Sequence, residues 1–187
     1  MDLMQAIKER RSVRKLKSEP VSDDLINATL EGGRWAPSWA NTQCWRFVVV
    51  RDARMRAKVA ETIGPGNPAT EAAKYAPVII VVCGELGRAG YKRGEPSTDK
   101  GDWYMFDTAL ATQNMMLAAH SLGLGTVPIG VFDAHKVAEI LGVPPNIRVV
   151  LLLPLGYPAG EPTPPRRKEI SEIAFPDKYE VTEVSSR

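Results

Sequence analysis

Ala76-Pro77-Val78-Ile79-Ile80-Val81-Val82-Cys83 is the longest apolar run in the chain. It is far short of the roughly 20 residues that a membrane-spanning helix needs, and it predicts a strand covered on both faces. Two further segments read as strands of the same sheet. Residues 46–50 are apolar almost throughout and are expected to be buried on both faces or nearly so, and residues 148–153 repeat the pattern. Residues 126–131 predict a shorter strand.

Helical spacing lies between these strands. Leu3, Ala6 and Ile7 mark a helix over 2–10, and Ser22 is the N-cap of a second helix carrying Leu25, Ile26, Thr29 and Leu30. Gly32-Gly33 is expected to end or loosen that helix. Further helices are predicted over 54–63, 103–122 and 135–141. Little polar surface is left on 103–122, which predicts a centrally buried helix with Gly123 as its C-cap. Residues 36–41 and the Gly/Pro cluster 64–68 read as loop and turn. Alternating helices and strands around buried strands imply one sheet with helices on both faces.

Two segments stand outside this pattern. Residues 84–101 hold five glycines and seven charged side chains, the composition of a functional lid or a disordered loop. From about 157 to 187 the chain becomes a proline-rich arm with too little apolar periodicity to fold on itself, so it is expected to wrap its own core or a second subunit.

With 187 residues the chain is one domain, 1–187, including a lid at about 84–102 and the arm. It carries 24 basic and 22 acidic residues, a net charge of +2, which argues against a general nucleic-acid binder. Two cysteines and two histidines exclude a four-cysteine zinc site and make a disulfide scaffold implausible. Charged Lys8 to Arg11 follow the start with no apolar targeting stretch, and no membrane span is expected, so the reading is a cytoplasmic protein with reduced thiols. There is no nucleophile elbow, no P-loop and no zinc motif. Gly123-Leu124-Gly125 follows a helix and precedes a strand, the wrong context for a dinucleotide fingerprint. Cys44, Cys83 and His120 read as packing residues. No side chain presents itself as a catalytic acid, base or nucleophile, so an enzyme built on this chain needs a cofactor to carry its reaction.

Three constellations remain. Arg10-Arg11-Ser12-Val13-Arg14 could surround a phosphate with arginine forks and a hydroxyl, or be a solvated helix end. Trp35-Ala36-Pro37-Ser38-Trp39-Ala40-Asn41-Thr42-Gln43-Cys44-Trp45 mixes aromatic rings with amide and hydroxyl groups. That mixture suits a flat heterocycle with polar edges, or a loop capped by its own side chains. Pro164-Pro165-Arg166-Arg167-Lys168 could close on the same phosphate or be a basic turn.

The order and spacing of these segments resemble the FMN-dependent nitroreductase family. The resemblance also takes in Asp107-x-Ala109-x-Ala111-x-Gln113-Asn114, Pro128-Ile129-Gly130 and Leu155-Gly156-Tyr157-Pro158-Ala159, and it spans residues 4–173. It implies an α+β fold, a nitroreductase-like α/β/α sandwich whose C-terminal arm extends over a dimer partner, with FMN at the interface of the homodimer. By position, Arg10, Arg11, Ser12 and Arg14 would hold the phosphate and the flavin edge, and Arg167 with Arg166 or Lys168 would complete the phosphate site. Pro37, Ser38, Trp39 and Asn41 would come from the other subunit and line the ring, and backbone amides at Ile129 and Gly130 would approach it. Electrons would pass from NADH or NADPH through flavin N5 to a nitroaromatic, quinone or similar small-molecule acceptor in a ping-pong cycle. No metal and no catalytic side chain are implied. The lid, with Trp103, Tyr104 and Phe106, would select the acceptor. The family commonly has proline where this chain has Cys44. Relatives that dehalogenate iodotyrosine or cleave reduced flavin, and a flavin carrier or sensor without turnover, are the alternatives.

Overall fold

A computed structural model describes residues 1–179; the arm's last eight residues lie outside the described part. The apolar run becomes β2 (Val78–Glu85), one of the two inner strands of a four-stranded sheet. β1 (Trp45–Val50) and β6 (Ile147–Gly156) flank it, and β5 (Gly125–Thr126) lies beyond β6. The order is β1-β2-β6-β5 and every ladder is antiparallel, with a bulge in β6, where Val150 is the extra residue opposite Val82 and Cys83 of β2.

Strand alternation then sorts the core into two halves. Ile79, Val81 and Cys83 point to one face, where they meet α3 (Ala53–Ala60), α4 (Thr70–Tyr75) and α6 (Ala134–Leu141) through Val59, Ala72, Ala73 and Val137. Val78, Ile80 and Val82 point to the other, where Ile26 of α2 (Asp23–Arg34) and Met115, Met116 and Ala119 of α5 (Tyr104–Ser121) cover them. The result is the expected α/β/α sandwich. α1 (Leu3–Glu9) sits outside it, capped by the Asp2 carboxylate, which accepts from the Gln5 amide.

Several features depart from expectation. β1 is an edge strand, and only Trp45 and Val50 are buried along it, so its apolar sequence does not correspond to two-sided burial. α4 has no predicted counterpart; its six residues span less than two turns and leave little periodic signal. The strand expected at 126–131 is only two residues long, after which Ile129 rejoins β6 through a single bridge to Leu152. The lid is neither structureless nor a simple loop. It contains a hairpin of β3 (Tyr91–Lys92) and β4 (Glu95–Pro96), turned by Arg93 and Gly94 at φ 54° and 85°, the left-handed pair that a tight hairpin requires.

Gly32 and Gly33 do not end α2, which runs on to Arg34. Their role is proximity to α5. A Cβ on Gly32 would lie 2.9 Å from the Ala118 Cβ and 3.1 Å from the Asn114 carbonyl oxygen, and one on Gly33 would lie 2.8 Å from the Met115 Cγ. The missing side chains let the two helices pack almost backbone to backbone. Gly32→Ala should therefore destabilise the fold by about 1–3 kcal/mol through overpacking, against the roughly 1 kcal/mol that the same exchange gains in an open helix. A urea titration reads the difference, and unchanged or increased stability would refute the close approach.

Candidate functional site

α5 carries candidate residues at both ends. At its C-terminal end, Arg10 closes α1, and the Arg11 guanidinium donates to the carbonyls of Lys8 and Arg10, capping the end of that short helix. The chain then runs beside β5, the Val13 amide donating to the Thr126 carbonyl at 2.9 Å. Gly125 permits that approach, because a Cβ there would meet Val13 at 2.9 Å. A cleft of about 620 Å³ opens between Arg10, Arg11, His120, Leu124, Thr126 and the start of the arm at Pro158, Gly160, Pro162 and Pro164. Glu9 and Glu161 line it as well. Arg11 also borders a second cleft of about 260 Å³ with Ile7, Lys8, Pro165 and Arg167.

Like charges are crowded at this end. Burial holds the Arg10 guanidinium below its ordinary value, and the neighbouring charges of Arg11 and Arg167 push it further down. Among the described residues none of Arg10, Arg11, Arg14, Arg166, Arg167 or Lys168 is in an ion pair. Crowded cations without carboxylate partners are an arrangement that an anion would stabilise. Ser12 is half-buried; Arg14, Arg166 and Lys168 are exposed and line neither cleft. His120, read from the sequence as packing, lines this cleft. Its Nε2 is buried without a partner, and its imidazole is held below the ordinary range by burial first and by Arg10 and Arg11 after it, opposed by Glu9.

Ile129 and Gly130 follow β5 along the sheet margin. The Ile129 amide is spent on the Leu152 carbonyl at 2.8 Å and its side chain is in the core, so of the two only Gly130 lies exposed to a ligand.

At the N-terminal end of α5 a second group assembles. Residues 38–43 fold back in a 3-10 turn, with Ala40, Asn41 and Gln43 all left-handed at φ 43°, 56° and 49°. Each such non-glycine residue costs on the order of 1 kcal/mol. The fully buried Asp107 carboxylate accepts from the Trp39 amide at 3.1 Å, the Thr42 hydroxyl at 3.4 Å and the Cys44 thiol at 3.6 Å. Sequence reading quoted Asp107 without a role. Its contacts come from residues more than sixty positions away, which no local pattern shows.

The Ser38 hydroxyl accepts from the Gln43 amide, and the Asn41 side-chain oxygen accepts from Gln43, leaving the Asn41 amide nitrogen without a partner in the loop. Pro37 is exposed beside them. Trp39 lies against Trp103 with ring centroids 5.0 Å apart, and Trp103 meets Phe106 edge-on at 5.3 Å. The Trp103 indole donates to Thr98 of the lid at 2.9 Å, and Asp102 accepts from the amides of Gly87 and Tyr104. The lid and the 38–43 loop are therefore one packed unit.

The two groups do not meet within one chain. Asp107 and His120 are thirteen residues apart on α5, about 20 Å along its axis. Nor is α5 enclosed as expected: Met105 and Phe106 are 53% and 54% exposed. Leu3, Met4 and Ile7 of α1 and Ile170 and Ile173 of the arm are open as well, a large apolar area for one folded chain. Residues 163–179 of the arm are exposed almost throughout.

Among the described residues no three His, Cys, Asp or Glu side chains gather as a metal site, and no helix is long and apolar enough to cross a membrane.

The sequence profile of the nitroreductase family matches residues 7–157. A Methanothermobacter thermautotrophicus protein whose name pairs NADH dehydrogenase with NAD(P)H nitroreductase is 36% identical over 168 residues, covering 87% of this chain and 80% of the relative. A Bacillus subtilis protein named FMN reductase [NAD(P)H] is 28% identical over 173 residues, covering 84% of this chain and 66% of its own. Among solved structures, a nitroreductase family protein of Clostridium difficile superposes with a TM-score of 0.82 at 26% identity, covering 96% of this chain and 100% of that one.

Both cysteines are fully buried. Burial, and then the Asp107 charge and hydrogen bond, push the Cys44 thiol up from 9.0 to about 12, and burial pushes Cys83 to about 11. Iodoacetamide at pH 8 should leave the native protein unlabelled and modify two thiols after unfolding. Because the folded values are raised, the neutral thiols' contribution to stability is intact below about pH 9 and is lost as pH rises toward the folded values. The urea midpoint should fall over that range. Rapid native labelling of Cys44 would contradict its burial against Asp107.

Proposed function

The chain belongs to the nitroreductase family, and from that premise we propose that it is an NAD(P)H-dependent oxidoreductase holding FMN between two copies of itself. The names of its relatives support the donor and the flavin. The observation that carries the rest is the division of the candidate residues between opposite ends of α5. A basic cleft without an aromatic wall stands at one end, and an aromatic wall without a cation cluster stands at the other. A second copy applied to the exposed faces of α1 and α5 would let the two halves complete one another, and the exposed arm is free to reach over that copy.

The residues fit FMN. Arg10, Arg11, Ser12 and Arg14, with Arg167 and either Arg166 or Lys168, would neutralise a phosphate carrying about two negative charges. Arg11 contributes with part of its donor capacity already committed to α1. Pro37, Ser38, Trp39 and Asn41 of the second copy would line the ring, the spare Asn41 amide offering a donor to a carbonyl edge. Gly130 supplies an exposed backbone amide, while Ile129 supports it from the core.

When bound, FMN supplies hydride acceptance at N5 from NADH or NADPH and delivery to a second substrate in a ping-pong cycle. The chain's own part is to bind, orient and shield. Trp103 and Phe106 stand as an apolar wall beside Trp39, tied to the lid through Thr98, while Tyr104, the first residue of α5, packs its ring against Gly84 of β2. That wall suits a flat electrophile such as a quinone or nitroaromatic as acceptor. Two buried unpaired thiols suit a cytoplasmic setting.

Purified protein reconstituted with FMN should bleach in the visible on addition of NADH or NADPH and recover on addition of menadione or a nitroaromatic. Bleaching without recovery would favour a carrier, and neither response would refute the assignment. Arg10→Ala and Arg14→Ala should each weaken FMN binding by about 10- to 100-fold, the loss expected of one charge-assisted phosphate contact. Flavin affinity unchanged in both variants would put the phosphate elsewhere.

A further inference from the structure

We propose that Asp107 is a positioning residue of this site: its buried carboxylate pins the left-handed 39–43 loop, so that Trp39 stands against Trp103 and Asn41 is presented outward. The role in turnover rests on the FMN assignment; the role in the loop does not.

The Asp107 carboxylate is 0% exposed and, among the described residues, has no cationic partner. Such a group persists only if its oxygens are satisfied. They are, by three consecutive parts of one loop: the Trp39 backbone amide bonds both oxygens, and the Thr42 hydroxyl and Cys44 thiol reach Oδ2. The carboxylate also lies in the first turn of α5, where a negative charge is favoured by the helix dipole.

What the loop gains is a conformation it would not hold alone. Ala40, Asn41 and Gln43 all have positive φ, and none is glycine. Ala40 and Asn41 are exposed, so no packing fixes them from outside. Ser38 and Arg46 hold Gln43 at the end of the loop, and Asp107 holds the rest from beneath. Because Trp39 touches Trp103, and Trp103 is tied to the lid through Thr98, releasing the carboxylate would loosen the wall on which an acceptor rests.

The Trp39–Trp103 pair provides a readout that needs neither flavin nor turnover. Two indoles with centroids 5.0 Å apart produce an exciton couplet in the far-ultraviolet circular dichroism, assigned by its loss in Trp39→Phe. Asp107→Asn keeps the shape but turns an amide N–H toward donors. It is expected to fold, to lose most of the couplet, and to raise the acceptor KM by about fivefold or more with kcat changed less than about twofold. Adding Ala40→Gly, which removes the steric cost of the left-handed backbone, should restore much of the couplet in the Asp107→Asn protein. If Asp107→Asn fails to fold, Thr42→Val with Cys44→Ala decides the matter, since it keeps the carboxylate and strips two of its three donor residues; the couplet should weaken in it as well. A couplet unchanged in whichever of these variants folds overturns the proposal. If the wild-type chain shows no FMN binding, the functional assignment fails while the couplet still tests Asp107.

Discussion

Every side chain of β2 from Val78 to Cys83 is buried, and a strand with no face to water must be covered twice. That requirement organises the molecule. It puts β1 and β6 on its two sides and calls for a helical layer on each face. On one face the cover is three short helices. On the other it is α5, eighteen residues long, with α2 drawn against it by Gly32 and Gly33. The candidate residues collect at the two ends of that long helix: the basic cleft around His120 and the aromatic loop around Asp107.

The sandwich completes its core but leaves its surface unbalanced. Cations gather around Arg10 without carboxylate partners, and apolar side chains line the outer faces of α1 and α5. The net charge of +2 is an average over these unlike regions. Both features cost free energy in an isolated chain, one through like-charge repulsion and the other through exposed apolar area. Both are relieved together if an anionic cofactor and a second copy occupy the same surface, which is why the flavin and the dimer form one proposal.

Much of this was legible in the sequence where the signal is local. Ser22 caps α2 as its position suggested, its hydroxyl accepting from Leu25, and Gly123 takes the left-handed conformation just past α5. The apolar run at 78–82 announced an inner strand. Gly32-Gly33 misled because the reason for those glycines lies on α5, eighty residues away, while the local rule for paired glycines is a helix end. The lid hairpin carried a usable sign in Arg93-Gly94, masked by the surrounding charge. The cation cluster, the Trp39 loop and the lid aromatics were readable as residue types suited to a ligand. That they divide between two ends of one helix, with Asp107 organising one of them, is a property of the tertiary structure and has no signature along the chain.

Subunit complementation tests the central claim most directly. Chains carrying Arg10→Ala with Arg14→Ala lack one half of the site, and chains carrying Trp39→Ala with Asn41→Ala lack the other. If each site is built from two copies, unfolding and refolding the variants together in equal amounts should return about a quarter of the wild-type flavin-dependent activity, since half the dimers are mixed and one of their two sites is intact. Neither variant refolded alone should show it. A mixture no more active than the average of its two components would contradict a site shared between chains.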